Sequence, residues 1–225
     1  MSISSLARSL PSLLAIAVSV CIGPKVASAQ PNLLVNAGAE VGTGTNPGTV
    51  SNWVVGGVSN PGRENGTFNS GITPRTGLYS FFGNNGASGT LTQRVAVTSS
   101  GVSLGDVDAG RTFASLSFYT QSLNQGSAGD AASVLLTFLN AAGNPIGSPF
   151  DTGLNYSVGS WLLVNASSLI PSGTRFVDYS MVFTRRVGGD NDSYFDDNSL
   201  AIAVPSPSAA ALLGLAGLMA ARRRR

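Results

Sequence analysis

Histidine is absent from the chain, and cysteine occurs once, at Cys21. Together these absences exclude a histidine general base, a zinc site of His and Cys ligands, and Ser-His-Asp or Cys-His catalysis. Lysine also occurs once, at Lys25, so the central body has no lysine for Schiff-base or Ser-Lys chemistry. Charged residues are 11% of the chain, against about 25% in an ordinary soluble domain. The hydrophobic share of 43% is enough to build a core, which separates this sequence from a disordered tail. No long amphipathic helical pattern is present, and no repeat of 20–50 residues that would mark a solenoid or propeller.

The formal charge of +2 and the pI of 9.0 come from the two ends of the chain. Between residues 30 and 203 there are seven arginines against all eleven carboxylates, a net charge of −4. A mildly acidic body without a basic stripe is unsuited to a phosphate backbone, which excludes nucleic acid as a partner.

The ends read as addresses. Near the N-terminus, Arg8 precedes a ten-residue apolar run at 13–22, too short to span a bilayer. Ala27-Ser28-Ala29 follows with the small residues of a signal-peptidase site, making Gln30 the expected mature N-terminus. Without residues 1–29 the chain holds no cysteine and relies on no disulfide. At the other end, thirteen apolar residues at 209–221 follow Val204-Pro205-Ser206-Pro207-Ser208, and Arg222, Arg223, Arg224 and Arg225 close the chain. Thirteen helical residues reach about 20 Å, short of the roughly 30 Å hydrocarbon core. The arginines can snorkel and favour the cytoplasmic side. This three-part order resembles the PEP-CTERM sorting signal, with Ser206 where that family usually has Glu. The resemblance implies export from a Gram-negative cytoplasm and transient anchoring as a transmembrane helix in the inner membrane. It also implies an exosortase as processing partner, then residence at the cell surface or release.

In the body, residues 30–203, periodicity favours strands. At 113–121 apolar and polar residues alternate, with Leu116 and Phe118 on one face and Ser115, Ser117, Tyr119 and Gln121 on the other. A buried run occupies 131–139, and 175–186 puts Val177, Tyr179, Met181 and Phe183 on one face. Further strands are expected at 32–35, 53–55, 79–82, 90–97, 161–165 and 195–204. About nine strands separated by Gly, Asn and Pro loops predict an all-β fold, an antiparallel β-sandwich or jelly roll.

Four short motifs extend this reading: Pro31-Asn32-Leu33-Leu34-Val35-Asn36 through Glu40; Tyr79-Ser80-Phe81-Phe82-Gly83 with Leu91-Thr92-Gln93-Arg94-Val95; Pro171-Ser172-Gly173-Thr174-Arg175; and Gly189-Asp190-Asn191-Asp192-Ser193-Tyr194-Phe195-Asp196-Asp197-Asn198-Ser199-Leu200. In this order they resemble the galactose-binding-like jelly rolls that include many carbohydrate-binding modules. Ala37 and Ala39 stand where that family usually has Gly and Phe. The resemblance implies that the first and last strands are neighbours and that a structural Ca²⁺ sits at their ends. Glu40 and Asp196 are the candidate ligands, since calcium takes six to eight oxygens from carboxylates and carbonyls. Asp197, adjacent in the strand, is expected to face the opposite way.

Three functional classes fit. In the first, a non-catalytic module binds carbohydrate or exopolysaccharide through an aromatic platform with polar neighbours. Tyr119 and Gln121 are the strand candidates, and Arg63 the candidate in a Gly/Asn-rich loop at 60–71. Trp53 and Trp161 are expected in the core. In the second, a polysaccharide hydrolase works with a carboxylate pair drawn from Glu40, Glu64, Asp196 and Asp197. In the third, the body is a structural matrix protein with no ligand.

Overall fold

The computed structural model describes residues 30–126 and 129–205. The expected signal peptide with Ala27 and Ala29, the apolar run at 209–221, Pro207 and Arg222 to Arg225 lie outside the described residues. Gln30, Val204 and Pro205 lie within them and are exposed.

Twelve strands are described: β1 (Gly42–Thr43), β2 (Thr49–Val50), β3 (Val54–Gly57), β4 (Gly62–Glu64), β5 (Ser80–Phe82), β6 (Ser88–Ala96), β7 (Phe113–Ser122), β8 (Ala131–Leu139), β9 (Phe150–Asp151), β10 (Leu162–Leu169), β11 (Phe176–Thr184) and β12 (Ser193–Ala203). A 3₁₀ turn (Val97–Ser100) and a one-turn helix α1 (Leu104–Asp108) connect β6 to β7. Sheet I has the order β10-β7-β12-β5-β4, and sheet II the order β3-β6-β11-β8-β9, with every pairing antiparallel. β1 and β2 form a separate small ribbon. Residues 30–205 are therefore nearly all β, with two sheets packed as a sandwich.

Alternation explains the packing. Ala114, Leu116 and Phe118 of β7, Phe195, Leu200 and Ile202 of β12, and Val177, Tyr179, Met181 and Phe183 of β11 all enter one core between the sheets. Burial of the larger of these side chains is worth about 1.5–3 kcal/mol each. Phe195 lies between Phe118 and Phe183 at centroid distances of 5.2 and 4.9 Å. Trp53 joins this core against Phe81 and Tyr179, as expected.

Segment 32–35 differs from its expected strand. It is extended but carries no ladder of its own, because a side chain replaces part of the backbone pairing. Leu33 N donates to Leu200 O (2.8 Å), while Leu200 N donates to Asn32 Oδ1 (3.0 Å). The first and last segments are nevertheless neighbours. Asn198 N also donates to Ala37 O, and Tyr179 Oη reaches Asn198 Oδ1 from the opposite sheet at 2.9 Å. Trp161 also departs from its expected place. It is half-buried beside a smaller cluster outside the main core. β4 replaces part of the loop expected at 60–71.

Candidate functional site

The outward side of sheet I is set by register. Leu163, Tyr119 and Asp196 are aligned across β10, β7 and β12, and Gln121 aligns with Tyr194, which in turn aligns with Phe82 of β5. Leu116 and Phe118 point into the core, so Tyr119 and Gln121 project to the other side. There Phe82 stacks on Tyr194 (5.1 Å) and Phe68 leans on Phe82 (4.6 Å), with Ile72, Leu123 and Trp161 packed around them.

Residues 65–79 cross this face as a strap with a succession of polar ties. Glu64 Oε2 accepts from Gly66 N (2.6 Å). Asn69 Nδ2 donates to Asp192 Oδ1 (2.7 Å) and to Tyr194 Oη (2.6 Å). Trp161 Nε1 donates to Thr73 O (3.1 Å). Asp196 Oδ2 accepts from Arg75 N (2.8 Å) and Thr76 N (3.2 Å). Glu40 accepts from Leu78 N and Tyr79 N at 3.1–3.2 Å. Gly77 permits this last tie. Its φ is +65°, and a Cβ there would lie 2.2 Å from Glu40 Oε1.

A β-bulge between Asp196 and Ser199 reshapes the middle of β12. Asp197, with φ +46°, is thereby turned toward the strap, where it pairs with Arg75 and accepts from Thr76 Oγ1 (2.6 Å). Strand alternation places Asp196 and Asp197 on opposite sides, but the bulge brings both to the same segment. Arg75 completes the arrangement. Its guanidinium carbon lies 3.5 Å from the centroid of the half-buried Tyr119 ring. Asp196 is 0% exposed, and its carboxyl is pushed up to about 7, first by burial and then by the charge of Asp197. Burial likewise raises Glu64 and Asp192 above the usual carboxylate range.

The other expected site residues fall as follows. Gln121 is on the outward side of β7 but only 4% exposed. Arg63 is 5% exposed, at the residue-79 end of the strap. Its Nε donates to Gly44 O (3.1 Å) and its Nη1 to Glu40 O (3.0 Å), while its guanidinium covers Tyr79 at 3.8 Å. A loop position offering this side chain to a ligand is replaced by a buried strand position that knits residues 39–44. The structure thus brings together Tyr119, Asp196 and, through the strap, Glu40; Arg63 meets this set through the Glu40 carbonyl and the Tyr79 ring, not through a side chain free for a ligand. Arg75, Asn69 and Tyr194 were not singled out by sequence pattern.

Both candidate calcium ligands have their oxygens turned to backbone N–H groups. Those groups are donors, so they do not contribute to the oxygen shell a cation requires. Among the described residues, no three His, Cys, Asp or Glu side chains are grouped to hold a metal. As arranged, the donors form an amide clamp rather than a calcium shell. An open groove of about 370 Å³ lies on the far side of the molecule, beside Val35, Val54, Thr92 and Arg94; no aromatic ring or carboxylate lines it.

No family model matches the chain, and no curated protein matches it. The chain is similar to several solved structures at low sequence identity. The enzymatically active domain of bacteriophage CBA120 tailspike protein 4 is 16% identical over 76% of this chain, with a TM-score of 0.51; the match spans 21% of the tailspike chain. The apo form of a cyclase from Fischerella sp. is 10% identical over 78% of this chain and 97% of its own, at 0.51. A family 61 carbohydrate-binding module in complex with β-1,4-galactotriose is 19% identical over 76% of this chain and 97% of its own, at 0.46.

Proposed function

We propose that this chain is an exported, non-catalytic surface or extracellular-matrix protein whose β-sandwich binds carbohydrate on the outward side of sheet I. The observation that supports it is a set of half-exposed rings, Trp161, Phe68 and Tyr119, the last with Arg75 over one face, placed among polar side chains on one side of sheet I. Flat rings bind the apolar faces of sugars, and amides or carboxylates at their edges bind hydroxyls. The proposal includes the PEP-CTERM-type tail, an exosortase as its processing partner, and a polysaccharide of the cell surface as ligand.

The hydrolase reading is weaker. Glu40 and Asp196 hold strap amides, Glu64 holds Gly66 N and Ser80 Oγ, and Asp197 holds Arg75 and Thr76. Each already fills a structural role. Calcium at Glu40 and Asp196 belongs to the proposal in a narrower form, in which an arriving ion displaces the amides of residues 75–79.

A glycan array probed with the full chain tests the reading. Tyr119→Ala and Trp161→Ala should each weaken binding about tenfold, the equivalent of roughly 1.4 kcal/mol per stacked ring. Binding that both variants leave unchanged removes this side of sheet I from consideration. Turnover of a soluble polysaccharide that is lost in Glu64→Gln would favour the hydrolase.

A further inference from the structure

We infer that one end of the sandwich, the end from which the chain departs toward its C-terminal tail, rests against a phospholipid bilayer. This rests on the reading of residues 209–221 as a membrane segment. β7 starts at this end, and β10 and β12 finish there. Register aligns Leu169, Phe113 and Ala203 across the three strands, and Val204 follows directly. Leu169 is 50% exposed, Phe113 38% and Val204 40%, so adjacent strands present a continuous apolar row at the rim. The exposed Leu104 of α1 lies in the connection at the same end.

Chain geometry supplies the partner. Val204 is five residues before the apolar run that begins at Ala209. Five extended residues span at most about 17 Å. With the run in lipid, the Leu169–Phe113–Val204 rim cannot stand farther than that from the bilayer, whereas the opposite end of the sandwich points away.

Charge supplies a second, independent reason. The arginines at this end are each paired with an aspartate: Arg111 with Asp106 (2.7 Å), Arg175 with Asp108 (2.9 Å), and Arg94 with Asp178 (2.7 Å). These pairs sum to zero, so the whole net charge of −4 lies on the rest of the body. An anionic lipid surface repels that remainder and tolerates the neutral, apolar-rimmed end. This orientation would also leave the outward side of sheet I standing upright from the membrane, open to polymer.

The test uses the full chain carrying Cys21→Ser, produced in a Gram-negative host, recovered from its membranes, and reconstituted in vesicles of phosphatidylethanolamine and phosphatidylglycerol. Single cysteines replace Phe113, Leu169 or, as a control at the opposite end, the exposed Val58, and each carries an environment-sensitive fluorophore. A companion chain stops after Pro205. The expected result is a membrane-bound full chain, a soluble companion, and labels at 113 and 169 that are several-fold less accessible to aqueous iodide than the label at 58. Equal quenching at all three positions on a vesicle-bound chain overturns the inference and leaves the tail reading intact. A companion as firmly bound as the full chain, or a full chain that stays soluble, overturns the tail reading and the inference with it. Protection at 113 and 169 already present in the soluble companion would assign the rim to a second copy and overturn the lipid partner.

Discussion

Arg63 allows a demanding test, because its surroundings give a structural and a ligand-binding role opposite outcomes. The guanidinium has no carboxylate partner among the described residues and is instead satisfied by the carbonyls of Gly44, Glu40 and, more distantly, Ala39 (3.4 Å). Hydrogen bonds from a charged group contribute about 1.5–3 kcal/mol each, less where several share one group. Stacking on Tyr79 adds about 1–2 kcal/mol in a desolvated position. Arg63→Ala should therefore cost about 3–5 kcal/mol, since it also takes this donor from the part-buried carbonyl bonds at Gly44 and Glu40 and from the buried carbonyl of Ala39. For a body of this size, at about 2–4 °C per kcal/mol, the melting temperature should fall by roughly 10 °C. Arg63→Lys should recover only part of this, because an ammonium cannot reproduce the planar fork that reaches separate carbonyls while stacking on a ring. Arg94→Ala is the control, because its ion pair with Asp178 is solvent-exposed and should be worth about 1 kcal/mol or less. Thermal unfolding followed by circular dichroism gives the comparison. A melting shift for Arg63→Ala no larger than that for Arg94→Ala would refute the reasoning. So would an unshifted Arg63→Lys that had lost sugar binding, which would return Arg63 to the ligand site.

Asp196 makes stability depend on pH with a definite sign. Its carboxyl titrates near 7 in the folded state and near 3.9 in the unfolded chain, so the folded state holds the extra proton between those values. Stability should fall as pH rises from about 4 to about 7, by on the order of 4 kcal/mol at most, and Asp196→Asn should flatten that slope in urea titrations at several pH values. Tyr179→Phe removes the buried bond to Asn198 and leaves its Oδ1 without that donor, so it should cost about 1–3 kcal/mol in the same assay. Gly77→Ala places a Cβ against Glu40 Oε1 at a positive φ, and limited proteolysis should become faster within residues 75–79 while the sheets stay protected. For calcium, a rise in melting temperature over a chelated sample that is absent in Glu40→Gln is the outcome expected of the ion. Coincident curves leave the amide clamp as the whole account.

The long, alternating or wholly apolar strands were legible from sequence, because burial on one or both sides writes itself into a period of two. The run at 131–139 matches β8 residue for residue, and 113–121 misses only the last residue of β7. β4 was illegible, since Gly62-Arg63-Glu64 has no apolar alternation and becomes a strand through pairing with β5 and, on its other side, with Gly48. At the site, the outward projection of Tyr119 could be read from its neighbours. Its cover, Arg75, lies 44 positions earlier in the chain, and no local period connects the two. The shared aim of Asp196 and Asp197 was hidden for a related reason. A bulge breaks the alternation from which their directions were read, and it is specified by the Asn198 contacts to Ala37 and Tyr179, both distant in sequence.

The position of β12 bears on when this body can fold. The most C-terminal of the described strands is the central strand of its sheet, flanked by β7 along its length and by β5 at one end, with the first residues of the body laid beside it. Sheet I therefore has no stable partial form in which β7 and β5 meet, because what joins them is the final eleven-residue stretch. Contacts of such large sequence separation make for slow closure. A nascent chain leaves the facing edges of β5 and β7 unpaired until residues 193–203 have emerged, so a restraint on the segment that follows would also delay the moment at which the sandwich shuts.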